Sequence, residues 1–297
     1  MKSLYFDKNS KELVFPDLSA LPERLVYKRV SSLRAFFDSL SDSSLGGNDA
    51  MGVAAAFVLC AEAYRFEDGK PEGFAYSFSR SVDFVVRQCA AYPSVVASCE
   101  EMRHVCDGLS STDEMLSSVV KAASGIEKRT AGYCVKLGKN GAKLISDGDG
   151  VLVRGNCGVL SSVKHGASLE AVYTASKEKS FTLYIGETYP SFEGRRIAAF
   201  EAAANGSDAE VISDDRAASL MANGKINKVF LDVGFDRDGD LCSSSGSLML
   251  ASASRYFGVP VCAFVNAFRS WNGEKRDILK KEMFDHVISN NGKEWKI

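Results

Sequence analysis

Apolar residues arrive in short bursts over the first 30 positions: Leu4-Tyr5-Phe6, Leu13-Val14-Phe15 and Leu25-Val26-Tyr27. Asp7-Lys8-Asn9-Ser10 and Pro16-Asp17 punctuate them, and bursts of this kind between turn residues predict a small antiparallel sheet. From Ser31 onward the spacing changes to i, i+3, i+4, which predicts helices over 32–39, 49–64, 72–91, 94–105 and 112–144. Ser111 with Glu114 three residues on is a capping box and marks where the last of these begins.

After Asp147 the rhythm changes again. Val151-Leu152-Val153, Phe181-Thr182-Leu183-Tyr184-Ile185, Val211-Ile212, Val229-Phe230-Leu231-Asp232-Val233 and Val261-Cys262-Ala263-Phe264-Val265 alternate with helical stretches. Continuously apolar strands separated by crossover helices predict a mostly parallel, doubly wound α/β sheet. The expected organisation is a domain of small sheet and helices over 1–130, then an α/β domain over 131–297. No internal repeat is present, and the Asn290-Asn291-Gly292 tail reads as a frayed end.

Composition removes several function classes. Of 297 residues 45% are apolar and 25% charged, with a formal charge of −2, so nothing draws the chain to nucleic acid or anionic lipid. The longest apolar run, 52–61, is about half of the ~20 residues a membrane span requires. Met1 to Asp17 lacks the basic and apolar regions of a signal peptide. Eight cysteines without CxxC pairing lie mostly in apolar periodic segments, where free Cys behaves as a small hydrophobe. The expectation is a reduced, cytoplasmic protein that needs no cofactor and no metal. His104 and Cys106, two apart on a helix, do not face one ligand, and neither GxGxxG nor GxxxxGK[ST] occurs.

Ligands of open α/β sheets bind beyond the carboxyl ends of the strands. Three such ends carry candidate chemistry: Gly155-Asn156-Cys157-Gly158, Gly186-Glu187-Thr188-Tyr189-Pro190, and Gly234-Phe235-Asp236-Arg237-Asp238-Gly239-Asp240. Cys157 reads either as a thiolate favoured by a helix start or as a packed thiol in a tight turn. Asp236 reads either as a general acid or base or as ordinary turn chemistry. His165 lies about two helical turns past Cys157, while His104 and His286 read as structural or solvated.

The order of these segments resembles the methylthioribose-1-phosphate isomerase family. Gly46-Gly47-Asn48-Asp49-Ala50-Met51-Gly52-Val53-Ala54-Ala55-Ala56-Phe57 is similar to that family's RGAPAIGVAAAY, Tyr92-Pro93-Ser94-Val95-Val96 to RPTAV, and Asn156-Cys157-Gly158 to HCNAG. The stretch Glu187 to Glu201 resembles ETRPLLQGARLTAWE, and Val233-Gly234-Phe235-Asp236-Arg237 resembles GADRI. The likeness runs collinearly from residue 1 to about 266. It implies a Rossmann-like C-terminal domain, a homodimer, and an aldose–ketose isomerisation with Cys157 and Asp236 as catalytic residues. It also implies a sugar or sugar-phosphate site drawn from Gly47, Asn48, Tyr92, Tyr189, Glu193, Gly194, Ser243 and Ser244. The wider superfamily includes ribose-1,5-bisphosphate isomerases and regulatory subunits of a eukaryotic initiation factor, so a noncatalytic binding or regulatory role is the alternative.

The departures concern charge. The family's arginines fall on Gly46, Tyr92 and Tyr189, its Gln on Glu193, and the Asn-Lys of NKIGT near Ser243-Ser244. Charge-assisted hydrogen bonds contribute roughly 1.5–3 kcal/mol each, so losing the three phosphate-binding cations at Gly46, Tyr92 and Ser244 weakens phosphate binding by about four to six powers of ten. Arg195, Arg196, Arg237 and Lys164 are the candidate replacements. An altered sugar or sugar phosphate is the expected substrate.

Overall fold

The computed structural model describes residues 3–40, 45–90, 92–235, 240–270, 276–289 and 294–295. It divides into two compact units, Lys2–Ala131 and Gly132–Ile297.

The first unit opens with an antiparallel sheet of β1 (Tyr5–Asp7), β2 (Glu12–Pro16) and β3 (Tyr27–Val30) in the order β1-β2-β3. Asp7 turns the first hairpin by accepting the Asn9 N–H at 3.0 Å. Arg29 then ties the strands across their exposed face through Glu12 at 2.7 Å and Asp7 at 2.6 Å. The third strand lies later than the apolar burst at 25–27 indicated. The return from β2 consumes residues 17–26, closed by the Asp17 N–H on the Val26 carbonyl, and pairing starts at Tyr27 opposite Pro16.

The helices are α1 (Leu33–Leu40), α2 (Asn48–Ala63), α3 (Pro71–Gln88), α4 (Pro93–Arg103) and α5 (Thr112–Ala142). Proline at the first position starts both α3 and α4, where its missing N–H costs nothing. The Ser111 hydroxyl accepts the Glu114 N–H at 3.2 Å, so half of the capping box forms. Val53 to Ala61 of α2 are all buried, which makes α2 the central helix of its unit. A Cβ on Gly52 would come within 2.8 Å of the Ser94 carbonyl oxygen, so glycine there lets α2 and α4 meet backbone to backbone.

The second unit holds the α/β sheet. Its parallel strands are β4 (Gly150–Arg154), β5 (Thr182–Gly186), β6 (Ala209–Ile212), β7 (Lys228–Phe235), β9 (Val261–Ser270) and β11 (His286–Ser289). Antiparallel β8 (Leu241–Ser244), β10 (Arg276–Ile278) and β12 (Glu294–Trp295) complete the sheet. The main path runs β12-β11-β9-β7-β4-β5-β6. From β4 the chain builds outward through β5 and β6, then returns to β4's other side with β7, so the direction of winding reverses between β4 and β7. The connections include α6 (Ser168–Ala175), α7 (Ala199–Ala204), α8 (Arg216–Ala222) and α9 (Ser247–Phe257). Both sheet faces are covered: Val151 and Val153 enter one core with Leu169, Val172 and Phe264, while Leu152 enters the other with Ile212 and Leu250. The apolar pattern did not indicate β8, β10, β11 or β12, which are short and polar and are held as strands by their neighbours.

Candidate functional site

The reversal between β4 and β7 creates a crevice beyond the carboxyl ends of those strands, where open α/β sheets bind ligands. The turn after β4 carries Gly155, Asn156, Cys157 and Gly158. Gly155 has a φ of +88°, and a Cβ placed on it would find only the Ser244 hydroxyl, 3.9 Å away. Its N–H donates to the Thr188 hydroxyl at 2.9 Å, and that hydroxyl donates to the Gly186 carbonyl at 3.1 Å, joining the ends of β4 and β5.

Thr188 is buried and sits at a φ of +64°, in the left-handed region. A residue other than glycine held there costs on the order of 1–3 kcal/mol, and such strain concentrates at ligand sites. What holds it is Asp214, just after β6. The Asp214 carboxylate accepts the Thr188 N–H at 3.1 Å and the Tyr189 N–H at 2.8 Å, and pairs with Arg154 at 3.2 Å. Arg154 ends β4 with its side chain only 3% exposed and donates a second bond to the Ser244 hydroxyl at 2.8 Å. A buried cation therefore braces the ends of β4, β6 and β8. Among the described residues its two bonds engage two of the five guanidinium N–H donors.

The expected site residues divide between the units. In the α/β unit, Tyr189 is exposed and stands edge-on to Phe192, and Glu193 is half-buried. Gly194 is buried so tightly on the Gly186 carbonyl that no side chain would fit. Ser243 is buried, donating to the Asp232 carbonyl at 2.8 Å, and Ser244 faces Arg154. In the helical unit, Gly47 caps α2 with a φ of +84° and Tyr92 caps α4, the two helices that cross at Gly52. Asn48 opens α2. Asp236 and Arg237 lie outside the described residues.

Cys157 is not on the crevice surface. It is fully buried among Leu169, Val172, Ala198 and Ala202, and its carbonyl accepts the Ala167 N–H at 3.1 Å. With the Asn and Gly of HCNAG set on Asn156 and Gly158, the motif's His and Cys fall on Arg154 and Gly155, and Cys157 takes the place of its Ala. Among the candidate replacement cations, Arg195 is exposed and pairs with Glu187 at 3.8 Å, and Lys164 is exposed. His165 pairs with Glu170 at 3.2 Å, and His104 with Asp107 at 2.9 Å in solvent.

Beneath the turn lies a carboxyl group that was not among the expected site residues, although it closes the stretch resembling ETRPLLQGARLTAWE. Glu201 is fully buried on α7 and accepts the N–H of Val159 at 2.8 Å, the N–H of Leu160 at 3.1 Å and the Tyr173 hydroxyl at 3.3 Å. Burial, with a smaller push from Glu170, raises its pKa to about 7 against the downward pull of those three donors. Arg154, Thr188 and Asp214 were not among the expected site residues either. The one available signal was an arginine closing the apolar run Val151-Leu152-Val153.

The family model of the initiation factor 2 subunit family matches residues 45–275. The chain belongs to that family. Among its curated relatives, the 5-deoxyribose 1-phosphate isomerase of Clostridium botulinum is 29% identical over 266 residues, covering 87% of this chain and 75% of that protein. The Bacillus cereus protein of the same name is 28% identical, covering 84% and 73%. Two solved structures of this initiation factor 2 subunit fold superpose closely. The 5-methylthioribose 1-phosphate isomerase of Pyrococcus horikoshii gives a TM-score of 0.87 at 19% identity, covering 98% of this chain and 91% of that one. The translation initiation factor eIF-2B delta subunit of A. fulgidus gives 0.86 at 20%, covering 98% and 95%. The family resemblance read from the motifs holds, as does the fold it implied. Among the described residues no helix is long and apolar enough to cross a membrane.

Proposed function

We propose that this member of the family is an aldose–ketose isomerase acting on a pentose or pentose 1-phosphate. The observation that carries the reading is the likeness, over 87% of the chain, to proteins named 5-deoxyribose 1-phosphate isomerase. In net terms the reaction moves the C2 hydrogen to C1 and the O2 hydroxyl proton to the ring oxygen, and it needs no external oxidant. It requires a group that holds the proton near both carbons, and a second group that protonates the ring oxygen as the ring opens. Cys157 and Asp236 are assigned those two tasks.

Burial of Cys157 constrains the first assignment. The thiol meets a sugar only if the Gly155–Leu160 turn moves aside. Arg154 is the cation offered to an anionic substrate group. It stands beside Ser244, where the family carries a lysine, and among the described residues it leaves guanidinium donors unused. The exposed apolar face of α9 supports the expected homodimer: Leu248, Met249 and Tyr256 share one side of the helix, beside Ile278 of β10.

The test is a substrate panel of ribose, 5-deoxyribose and methylthioribose, each with and without the 1-phosphate, followed by NMR for the ketose. Turnover lost in Cys157→Ala and in Asp236→Asn supports the assignment. Turnover that survives Cys157→Ala removes the thiol from the mechanism. The second reading is a noncatalytic binding protein, favoured by glycine at the position of the motif's cysteine. No turnover of any sugar, with binding retained, selects it.

A further inference from the structure

Glu201 does more than fill space. A carboxylate so fully buried is costly unless its oxygens are satisfied, and here two of its three donors are consecutive backbone N–H groups of the turn that follows Cys157. Gly158 lies directly against the same carboxyl, and any Cβ there would overlap it. Cys157 is held from the other side, its carbonyl taking the N–H groups of Ala167 and Leu169 at 3.1 and 3.4 Å. The turn is thus clamped between α7 and the first turn of α6.

We propose that Glu201 is a positioning residue that locks the Gly155–Leu160 turn, with Tyr173 as its exchangeable partner, and so controls access to the Cys157 thiol. The proposal rests on the reading in which Cys157 is the reacting thiol. As a carboxylate, Glu201 accepts from Val159, Leu160 and Tyr173 together. As an acid it must donate once. The Tyr173 hydroxyl can turn from donor to acceptor and take that proton, leaving Val159 and Leu160 on the remaining lone pairs but with weaker, neutral bonds. Burial outweighs those donors, so the closed clamp is favoured by the protonated form and loosens as pH rises through about 7. The groups facing this carboxyl are Tyr173 and Glu170 of α6, the latter paired with His165; Tyr173 in turn is hydrogen-bonded to Asn205 and lies near Cys157. Tyr173 is raised well above its usual range by burial and then by Glu201, so it stays a neutral hydroxyl in both states.

The experiment needs no substrate, so its failure is separate from that of the isomerase reading. The full-length protein is labelled with N-ethylmaleimide under native conditions, and modification of the Cys157 peptide is measured against Cys60. Cys60 is equally buried in the helical unit, on the Val119 carbonyl. In Glu201→Gln, where an amide N–H faces a backbone N–H, Cys157 should react about tenfold faster relative to Cys60, through local opening. In the wild type the ratio, and amide exchange at 159–160 corrected for intrinsic rate, should both rise between pH 6 and 8. In Glu201→Gln both should be flat. A Cys157 to Cys60 ratio that is unchanged in the variant overturns the proposal. If Glu201→Gln loses its fold and all cysteines react together, Tyr173→Phe carries the test. Removing that one hydroxyl should raise the ratio about threefold, and no change at either pH overturns the proposal.

Discussion

The buried Glu201 carboxyl makes the stability of this protein depend on pH in a direction opposite to that of a salt-bridged acid. Its ordinary value of 4.5 is raised to about 7 in the folded state, chiefly by burial. The folded state therefore holds this proton more tightly than the unfolded chain does. Stability from this group is fully present below pH 4.5 and is lost as pH rises to about 7. Between pH 5 and pH 8 the loss is about 2.5 kcal/mol, since each tenfold difference in proton affinity between the two states is worth about 1.36 kcal/mol. Glu201→Gln removes the titration. Urea unfolding of both proteins at pH 5, 6, 7 and 8 isolates the residue, because all other titrating groups cancel in the difference. The variant should be less stable at pH 5, where it gives up a satisfied acid for a misplaced amide. The gap should shrink or reverse by about 2.5 kcal/mol toward pH 8. A wild-type minus variant difference constant across that range would show that Glu201 is ionised throughout, and that the three donors outweigh its burial.

Gly158→Ala should destabilise the protein by at least about 2 kcal/mol in the same assay, because the new methyl overlaps a carboxyl that cannot withdraw. Arg154→Met leaves Asp214 without its buried cation and should cost about 3–5 kcal/mol; in calorimetry it should also abolish any binding of inorganic phosphate that the wild type shows. Unmodified methylthioribose 1-phosphate should bind poorly, since Gly46, Tyr92, Tyr189 and Ser244 carry no positive charge; micromolar affinity by calorimetry would show that other cations serve. Light scattering should give a dimer mass at micromolar concentration, and Tyr256→Glu, on the exposed face of α9, should shift it to the monomer.

What the sequence determined by itself is local and repetitive. The 3.6-residue spacing located α2, α3, α4 and α5 because each buries one stripe or its whole circumference. The apolar runs located β4, β5, β7 and β9 because a strand buried on both faces cannot afford polar letters. The motif order, from the α2 segment through Glu187 to Glu201, carried the family because collinearity over some 266 residues is far more specific than any single match. Tertiary structure alone decided the chemistry around the crevice. Cys157 is buried in the core, which its place between turn residues in the sequence did not reveal. Arg154 and Asp214 meet although 60 residues separate them, and Val159 meets Glu201 across 42. Such pairings leave no periodic trace. They depend on which strand ends the winding brings together, and on burial that turns an ordinary glutamate into a titrating clamp.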